Sequence, residues 1–227
     1  MQDTETRLHQ VRERIASAAQ EAGRSPGSVT LLAVTKTRPA SVVQAGVDAG
    51  MLDLGENRVQ EARQKIPEIE GNPRWHLIGS LQSKKTTWAA QLFDVIHSVD
   101  RPKLARRLDD AARGNDRRLD VYVQVDFVRS ELSEPEVLKQ ARDTAEFVAE
   151  SGHLNLVGLM TLPPYDADPE AARPWFRRLV ALQQGLAAAG IEAPGLSMGM
   201  SNDFEVAIQE GSTIVRIGTS LFGPRTA

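Results

Sequence analysis

Lys36 closes the run Leu31-Leu32-Ala33-Val34-Thr35-Lys36, a cation placed where an apolar segment ends and Pro39 opens the next helical stretch. A lysine held at such an end, partly withdrawn from water, loses its proton more easily than one in solution, and the uncharged amine attacks a carbonyl to form an imine. By position alone a solvated strand-end lysine fits as well. The run Ser197-Met198-Gly199-Met200-Ser201-Asn202-Asp203-Phe204-Glu205 passes through small residues into a helix. Asn202 and Glu205 have the spacing of a capping box, which would leave the Ser201 hydroxyl and the first helical N–H groups for an anion. In Thr213–Gly223, Arg216 is the sole charge of a strand that leads into Ile217-Gly218-Thr219-Ser220. Glycine at 218 lets a ligand come close to the backbone, and Arg216 or the neighbouring amides can face a phosphate or a ring nitrogen. Capping and turn formation alone would explain these two runs equally well.

Two more strand ends carry polar side chains that could line a mouth: Leu54-Gly55-Glu56-Asn57 with Gln60-Glu61, and Trp75-His76-Leu77-Ile78-Gly79 with Leu81-Gln82. Singly, Glu56 reads as a charge at a helix start and His76 as a hydrogen-bonded core histidine. The four histidines, His9, His76, His97 and His153, have no H-E-x-x-H or carboxylate spacing, so no metal site is expected. A P-loop signature is missing too. The pairs Arg106-Arg107, Arg117-Arg118 and Arg177-Arg178 read as solvated faces.

The elements that must position these residues follow from periodicity. Between Asp3 and Gly23, Leu8, Val11, Ile15 and Ala18/Ala19 have the spacing of an amphipathic helix, closed by Gly23 and Pro26. Eight strand candidates follow: Val29–Lys36, Met51–Gly55, Trp75–Gly79, Val95–Val99, Leu119–Asp126, Leu154–Leu162, Leu196–Gly199 and Thr213–Phe222. Helical stretches alternate with them: Ala40–Ala49, Val59–Ile69, Lys84–Gln91, Lys103–Gly114, Glu134–Ser151, Pro169–Ala189 and Asp203–Glu210. This alternation predicts an α/β fold, a single (β/α)8 TIM-type barrel with an extra N-terminal helix. An open doubly wound sheet is the alternative, weakened by Thr35-Lys36-Thr37-Arg38-Pro39 standing where G-x-G-x-x-G would be. No linker divides the chain, so 1–227 is read as one domain, with the N-terminal helix in 1–25 and the barrel in 29–223. Barrel function sits at the C-terminal ends of strands, and the runs at 197–205 and 213–223 would together form a phosphate cup on strands seven and eight.

Composition narrows the classes. With 227 residues and 41% hydrophobic residues, one fold would hide about 70–75% of the surface its unfolded chain exposes. Lys+Arg 27 against Asp+Glu 30 leaves a net charge of −3, which argues against a nucleic-acid partner. The absence of cysteine excludes disulfides, thiolate metal sites and cysteine nucleophiles. Met1-Gln2-Asp3-Thr4-Glu5 is acidic and no long apolar run follows, so a cytoplasmic protein without a membrane partner is expected.

In order along the chain stand Lys36 after Leu32-Ala33-Val34-Thr35, then Gly55-Glu56-Asn57…Gln60-Glu61, then Trp75-His76-Leu77-Ile78-Gly79…Leu81-Gln82. Gly158-Leu159-Met160, Leu196-Ser197-Met198-Gly199-Met200-Ser201…Asp203 and Val215-Arg216-Ile217-Gly218…Leu221-Phe222-Gly223 complete the series. From Val29 to Gly223 the chain thereby resembles the pyridoxal phosphate homeostasis protein family (YggS/PROSC type). The resemblance implies a barrel similar to the N-terminal domain of alanine racemase, with pyridoxal 5′-phosphate bound as an imine to Lys36. By the same likeness Ser201 and the backbone at Gly218 and Thr219 hold the phosphate, Arg216 approaches the pyridine nitrogen, and Asn57 belongs to the cofactor-binding set. It further implies a monomer that buffers or delivers the cofactor, with pyridoxal phosphate-dependent apoenzymes as partners and no established catalysis. Two departures from the family pattern affect the rim: Ser83-Lys84-Lys85 after Leu81-Gln82, and the shorter, glycine-free Asp126-Phe127-Val128-Arg129-Ser130-Glu131-Leu132.

A guanidinium at the pyridine nitrogen disfavours its protonation and makes the ring a poorer electron sink. Racemising relatives tolerate that arginine but add a second domain with a tyrosine base, whereas here Ala227 closely follows the last strand and Tyr122 and Tyr165 are the only tyrosines. A cofactor carrier is the leading expectation. A weak amino-acid racemase is the alternative, and a Schiff-base aldolase acting on a sugar phosphate a third.

Overall fold

A computed structural model describes residues 2–128 and 130–223. Met1 of the acidic N-terminus, Arg129 of the loop at 126–132, and residues 224–227 lie outside the described residues. Eight parallel strands close into a barrel in sequence order, which settles the choice against an open sheet. They are β1 (Thr30–Val34), β2 (Asp53–Glu56), β3 (Arg74–Leu77), β4 (Val95–Val99), β5 (Leu119–Gln124), β6 (Leu154–Met160), β7 (Gly195–Met200) and β8 (Ile214–Ile217). Around them run α1 (Gln2–Glu21), α2 (Ala40–Asp48), α3 (Val59–Lys65), α4 (Thr86–Leu92), α5 (Pro102–Gly114), α6 (Glu134–Glu150), α7 (Arg173–Ala188), α8 (Phe204–Gln209) and α9 (Thr219–Phe222). No helix among the described residues is long and apolar enough to cross a membrane.

Strand alternation sorts the core into two layers. Leu32, Val95, Tyr122, Met160 and Ile214 come from five different strands and cluster together, which places them inside the barrel. Residues of opposite parity, such as Ala33, Leu54 and Trp75, pack outward with the helices. The interior is tight enough for glycine to be required at Gly158, which lies opposite Gly195 in the β6–β7 register. A Cβ there would stand 2.0 Å from the Gly195 carbonyl oxygen.

In α1, Leu8, Val11, Ile15, Ala18 and Ala19 are buried, the face that the periodicity predicts. Burying each of the larger ones contributes roughly 1.5–3 kcal/mol. This face packs over α8 and α9, beside the seam where β8 pairs with β1. Arg24 Nη1 donates to the Ile208 carbonyl at 2.9 Å and ties the end of the helix to α8.

Several expectations need correction. The last strand stops at Ile217, because at Gly218 the chain turns into α9; Thr219–Phe222 is helix. Two of the supposedly solvated arginines are clasps. Arg117 donates to the carbonyls of Ala90 and Gln91 at 2.8 and 2.9 Å and to Asp94 at 2.7 Å, closing the end of α4. Arg178 lies over the rings of Phe127 and Trp175 and pairs with Glu134.

Candidate functional site

The turn after β1 presents Lys36 and is held from behind. Thr35 points outward, and its hydroxyl donates to Glu56 Oε1 at 2.7 Å. Lys65 Nζ donates to the Thr35 carbonyl at 2.9 Å, to Glu56 at 2.6 Å and to Glu61 at 2.9 Å. The Thr37 amide donates to Glu61 Oε1 at 2.5 Å. Thr37 has φ +63°, a left-handed conformation that a β-branched residue adopts only under constraint, and these bonds supply it. Burial pushes the Glu56 carboxyl up against the opposing bonds from Lys65 and Thr35, and its Oε2 is buried with no hydrogen-bond partner. Burial also acts to raise Glu61, but bonds from Lys65 and the Thr37 amide outweigh it and hold Glu61 low. Glu56 and Glu61 therefore brace the lysine turn and do not line the mouth. From that run only Asn57 faces the cavity.

At the C-terminal end of the barrel the strand ends enclose a cavity of about 410 Å³. Lys36, Asn57, Ser201, Arg216, Gly218 and Thr219, singled out from sequence, all line it. Gly79 is the floor under Asn57: a Cβ there would lie 2.2 Å from the Asn57 carbonyl oxygen. The Gly218 amide donates to Ser201 Oγ at a long 3.4 Å, which joins the two turns and leaves the serine proton to point elsewhere. The expected capping box is absent. Asp203, not Asn202, precedes α8, and its carboxylate accepts from the Met200 amide at 2.6 Å to fold the 200–203 turn. Asn202 donates to the Asp166 carbonyl at 2.9 Å, and Glu205 pairs with Arg14 of α1 at 2.7 Å, a partner better placed than the helix start.

Arg216 is buried at the cavity floor. Its Nη1 donates to Ser197 Oγ at 2.7 Å and its Nη2 to the Thr161 carbonyl at 2.9 Å. Burial lowers the guanidinium to about 10, opposed by Asp203, so it is cationic at neutral pH. Below it, His97 Nδ1 meets Ser197 Oγ at 2.9 Å, His76 Nδ1 meets His97 Nε2 at 2.9 Å, and His76 Nε2 meets Asp53 at 3.0 Å. Burial depresses both histidines, His97 well below its ordinary value. His76 is thus a hydrogen-bonded core residue, not a mouth residue.

Sequence reasoning missed the outer wall. Leu162, Pro164, Tyr165, Asp166 and Asp168 line the cavity from the loop after β6, with Tyr165 82% exposed at its mouth. Proline and aspartate runs have no periodicity to mark them; the place of the loop after a barrel strand was the available signal. Gln60, Gln82, Lys84 and the described residues of the 126–132 loop do not line the cavity. No group of three or more His, Asp or Glu among the described residues is placed to hold a metal ion.

A parallel barrel with a lysine on the turn after its first strand, and with a hydroxyl and an amide hydrogen-bonded to each other on the turns after its seventh and eighth, defines the class. Residues 6–226 match the family described as alanine racemase, N-terminal domain. The pyridoxal phosphate homeostasis protein of Aquifex aeolicus is 42% identical over 224 residues, 96% of this chain and 97% of that protein. The corresponding protein of Pseudomonas aeruginosa is 45% identical over 223 residues, 96% of this chain and 94% of that one. Among solved structures, PipY of Synechococcus elongatus with PLP bound is 35% identical, with a TM-score of 0.80 over 92% of this chain and 100% of its own. The chain belongs to the pyridoxal phosphate homeostasis protein family.

Proposed function

We propose that this chain binds pyridoxal 5′-phosphate and buffers or delivers it inside the cell, holding it covalently on Lys36. The observation that carries the reading is the meeting of one amine, one buried guanidinium, one hydroxyl and the Gly218 and Thr219 amides around a single cavity. That donor set fits the group: an amine for an aldehyde, neutral and amide donors for a phosphate dianion, a cation-bearing donor for a ring nitrogen. Bound there, the cofactor would supply an aldehyde, a group open to condensation with an uncharged amine. Lys36 is the amine, and Glu61 and Lys65 orient its turn. Ser201 with the Gly218 and Thr219 amides holds the phosphate, and Asn57 borders the same space. Arg216 keeps the pyridine nitrogen unprotonated, which weakens carbanion chemistry and favours storage over turnover. The names of the relatives and the PLP-bound PipY support the assignment. Segment 1–25 and barrel 29–223 act as one cofactor-binding unit, a cytoplasmic monomer that serves pyridoxal phosphate-dependent apoenzymes.

The test is borohydride reduction of the chain mixed with pyridoxal phosphate, followed by peptide mapping. The label is expected on Lys36; recovery on Lys84, Lys85 or no lysine rejects the site. A steady-state rate of order 1 s⁻¹ on any amino acid, the low end of ordinary enzymes and abolished by Lys36→Ala, would establish the racemase-type alternative instead.

A further inference from the structure

Five polar side chains from five strands form a file along the barrel interior: Asp53 of β2, His76 of β3, His97 of β4, and Ser197 of β7 with Arg216 of β8. Its links are 3.0, 2.9, 2.9 and 2.7 Å. Apolar side chains surround it, and Tyr122 stacks on His97 with ring centroids 4.4 Å apart and planes at 22°. The file starts at the opposite end of the barrel from the cavity, where Asp53 borders a separate surface hollow with Arg12, Gly50 and Leu52.

The chemistry of the two ends fixes every proton between them. An ionised carboxylate only accepts and a guanidinium only donates. His76 must therefore carry its proton on Nε2 to serve Asp53, which leaves Nδ1 bare as an acceptor. His97 must then donate from its own Nε2, leaving its Nδ1 to accept from the Ser197 hydroxyl. Ser197 Oγ, having given its proton, accepts from Arg216. All four bonds point the same way, from the cavity toward Asp53, with both imidazoles neutral. A proton added to His76 would reverse the direction: Nδ1 would donate to His97, His97 Nδ1 would donate to Ser197, and the serine oxygen would receive two donors. Arg74 and Asp94 also face His76, and Arg74 and Arg216 face His97, so their charges act on the same equilibrium. Burial in the barrel opposes that extra proton.

We propose that Asp53, at the far end of the barrel, is a positioning residue for the cofactor site: through His76, His97 and Ser197 it fixes the donor direction of the file and with it the seat of Arg216. The proposal rests on the reading that Arg216 faces the pyridine ring, and it adds a control point on the opposite face of the molecule. Arg216 does not pivot freely, since one guanidinium nitrogen is committed to Ser197 and the other to the Thr161 carbonyl. A change at Asp53 propagates through the imidazole protons to the Ser197 oxygen that accepts from Arg216, with no backbone movement required.

The test uses the full chain labelled with ¹⁵N at histidine and arginine, first without added cofactor. Both His76 and His97 should show the Nε2–H tautomer at pH 7, and Asp53→Asn should shift the His97 and Arg216 side-chain resonances while the unfolding midpoint stays close to wild type. Ser197→Ala should cut the relay, so that Asp53→Asn in that background leaves Arg216 unmoved. A His97 protonated on Nδ1, or His97 and Arg216 resonances indifferent to Asp53→Asn, would overturn the relay. Pyridoxal phosphate is then added and the absorbance followed. Asp53→Asn should shift the band of the bound cofactor in the same direction as Arg216→Lys, with inorganic phosphate competing as for wild type. A band moved by Arg216→Lys but not by Asp53→Asn refutes the proposal. A band moved by neither refutes the placement of the ring at Arg216, and the magnetic resonance result then judges the relay alone.

Discussion

Acidification between pH 7 and pH 5 should destabilise this protein through its buried histidines. His76 and His97 are buried neutral, and burial lowers both from the ordinary 6.5. Between the folded and unfolded values the unfolded chain binds more protons, so stability is complete above pH 6.5 and falls as pH drops below it. A histidine kept fully neutral in the fold loses RT ln(1 + 10^1.5), about 2 kcal/mol, by pH 5, and the pair about 4 kcal/mol at most. Glu56, Asp100 and Asp203 are raised by burial and act with opposite sign: their stabilisation is present at low pH and lost as pH rises, so acidification recovers part of it. Glu61 and Glu210, held low by their cationic partners, lose stability only below about pH 4.5. The net loss by pH 5 is therefore smaller than that ceiling of about 4 kcal/mol. Urea unfolding followed by tryptophan fluorescence at pH 7, 6 and 5 reads it directly, as a falling midpoint at constant slope. A midpoint independent of pH over that range, or a loss confined to pH below 4.5, would refute the neutral-histidine assignment.

Ser201→Ala should weaken pyridoxal phosphate binding by about 1.5–3 kcal/mol, roughly tenfold to 150-fold by fluorescence titration, and leave unphosphorylated pyridoxal unaffected. Gly158→Ala places a Cβ against the Gly195 carbonyl and should cost about 3 kcal/mol in the same urea assay. Glu61→Gln should loosen the Thr37 turn, slowing borohydride-trapped labelling of Lys36 severalfold in a time course while leaving phosphate competition unchanged.

The barrel and its cofactor end were legible for separate reasons. Short apolar runs alternating with amphipathic ones state the topology, and a lysine or arginine at the end of such a run is conspicuous because nothing else there is charged. Glu56 misled because a carboxylate at a strand end looks the same whichever face it takes. Parity resolves it: Asp53, Gly55 and Asn57 share the inner face, which turns Glu56 outward onto Lys65. The file from Asp53 to Arg216 was hidden for another reason. His97 and Ser197 are 100 residues apart, and only barrel closure makes them neighbours. The capping box failed because Arg14, almost two hundred residues upstream, competes for Glu205.

The closing seam of the barrel has a temporal consequence. Lys36 follows β1, while Arg216, Gly218 and Thr219 belong to β8 and the turn beyond it, and Leu32 pairs with Arg216 across that seam. During synthesis the lysine emerges early, and its partners leave the ribosome some 180 positions later. Until the final strand docks on the first, Lys36 and the turn at Gly218 and Thr219 do not line a common cavity, so on the function proposed above a partly made chain lacks the assembled site. On that function, ligand retention reports finished folding, since it follows the longest-range strand pairing in the barrel.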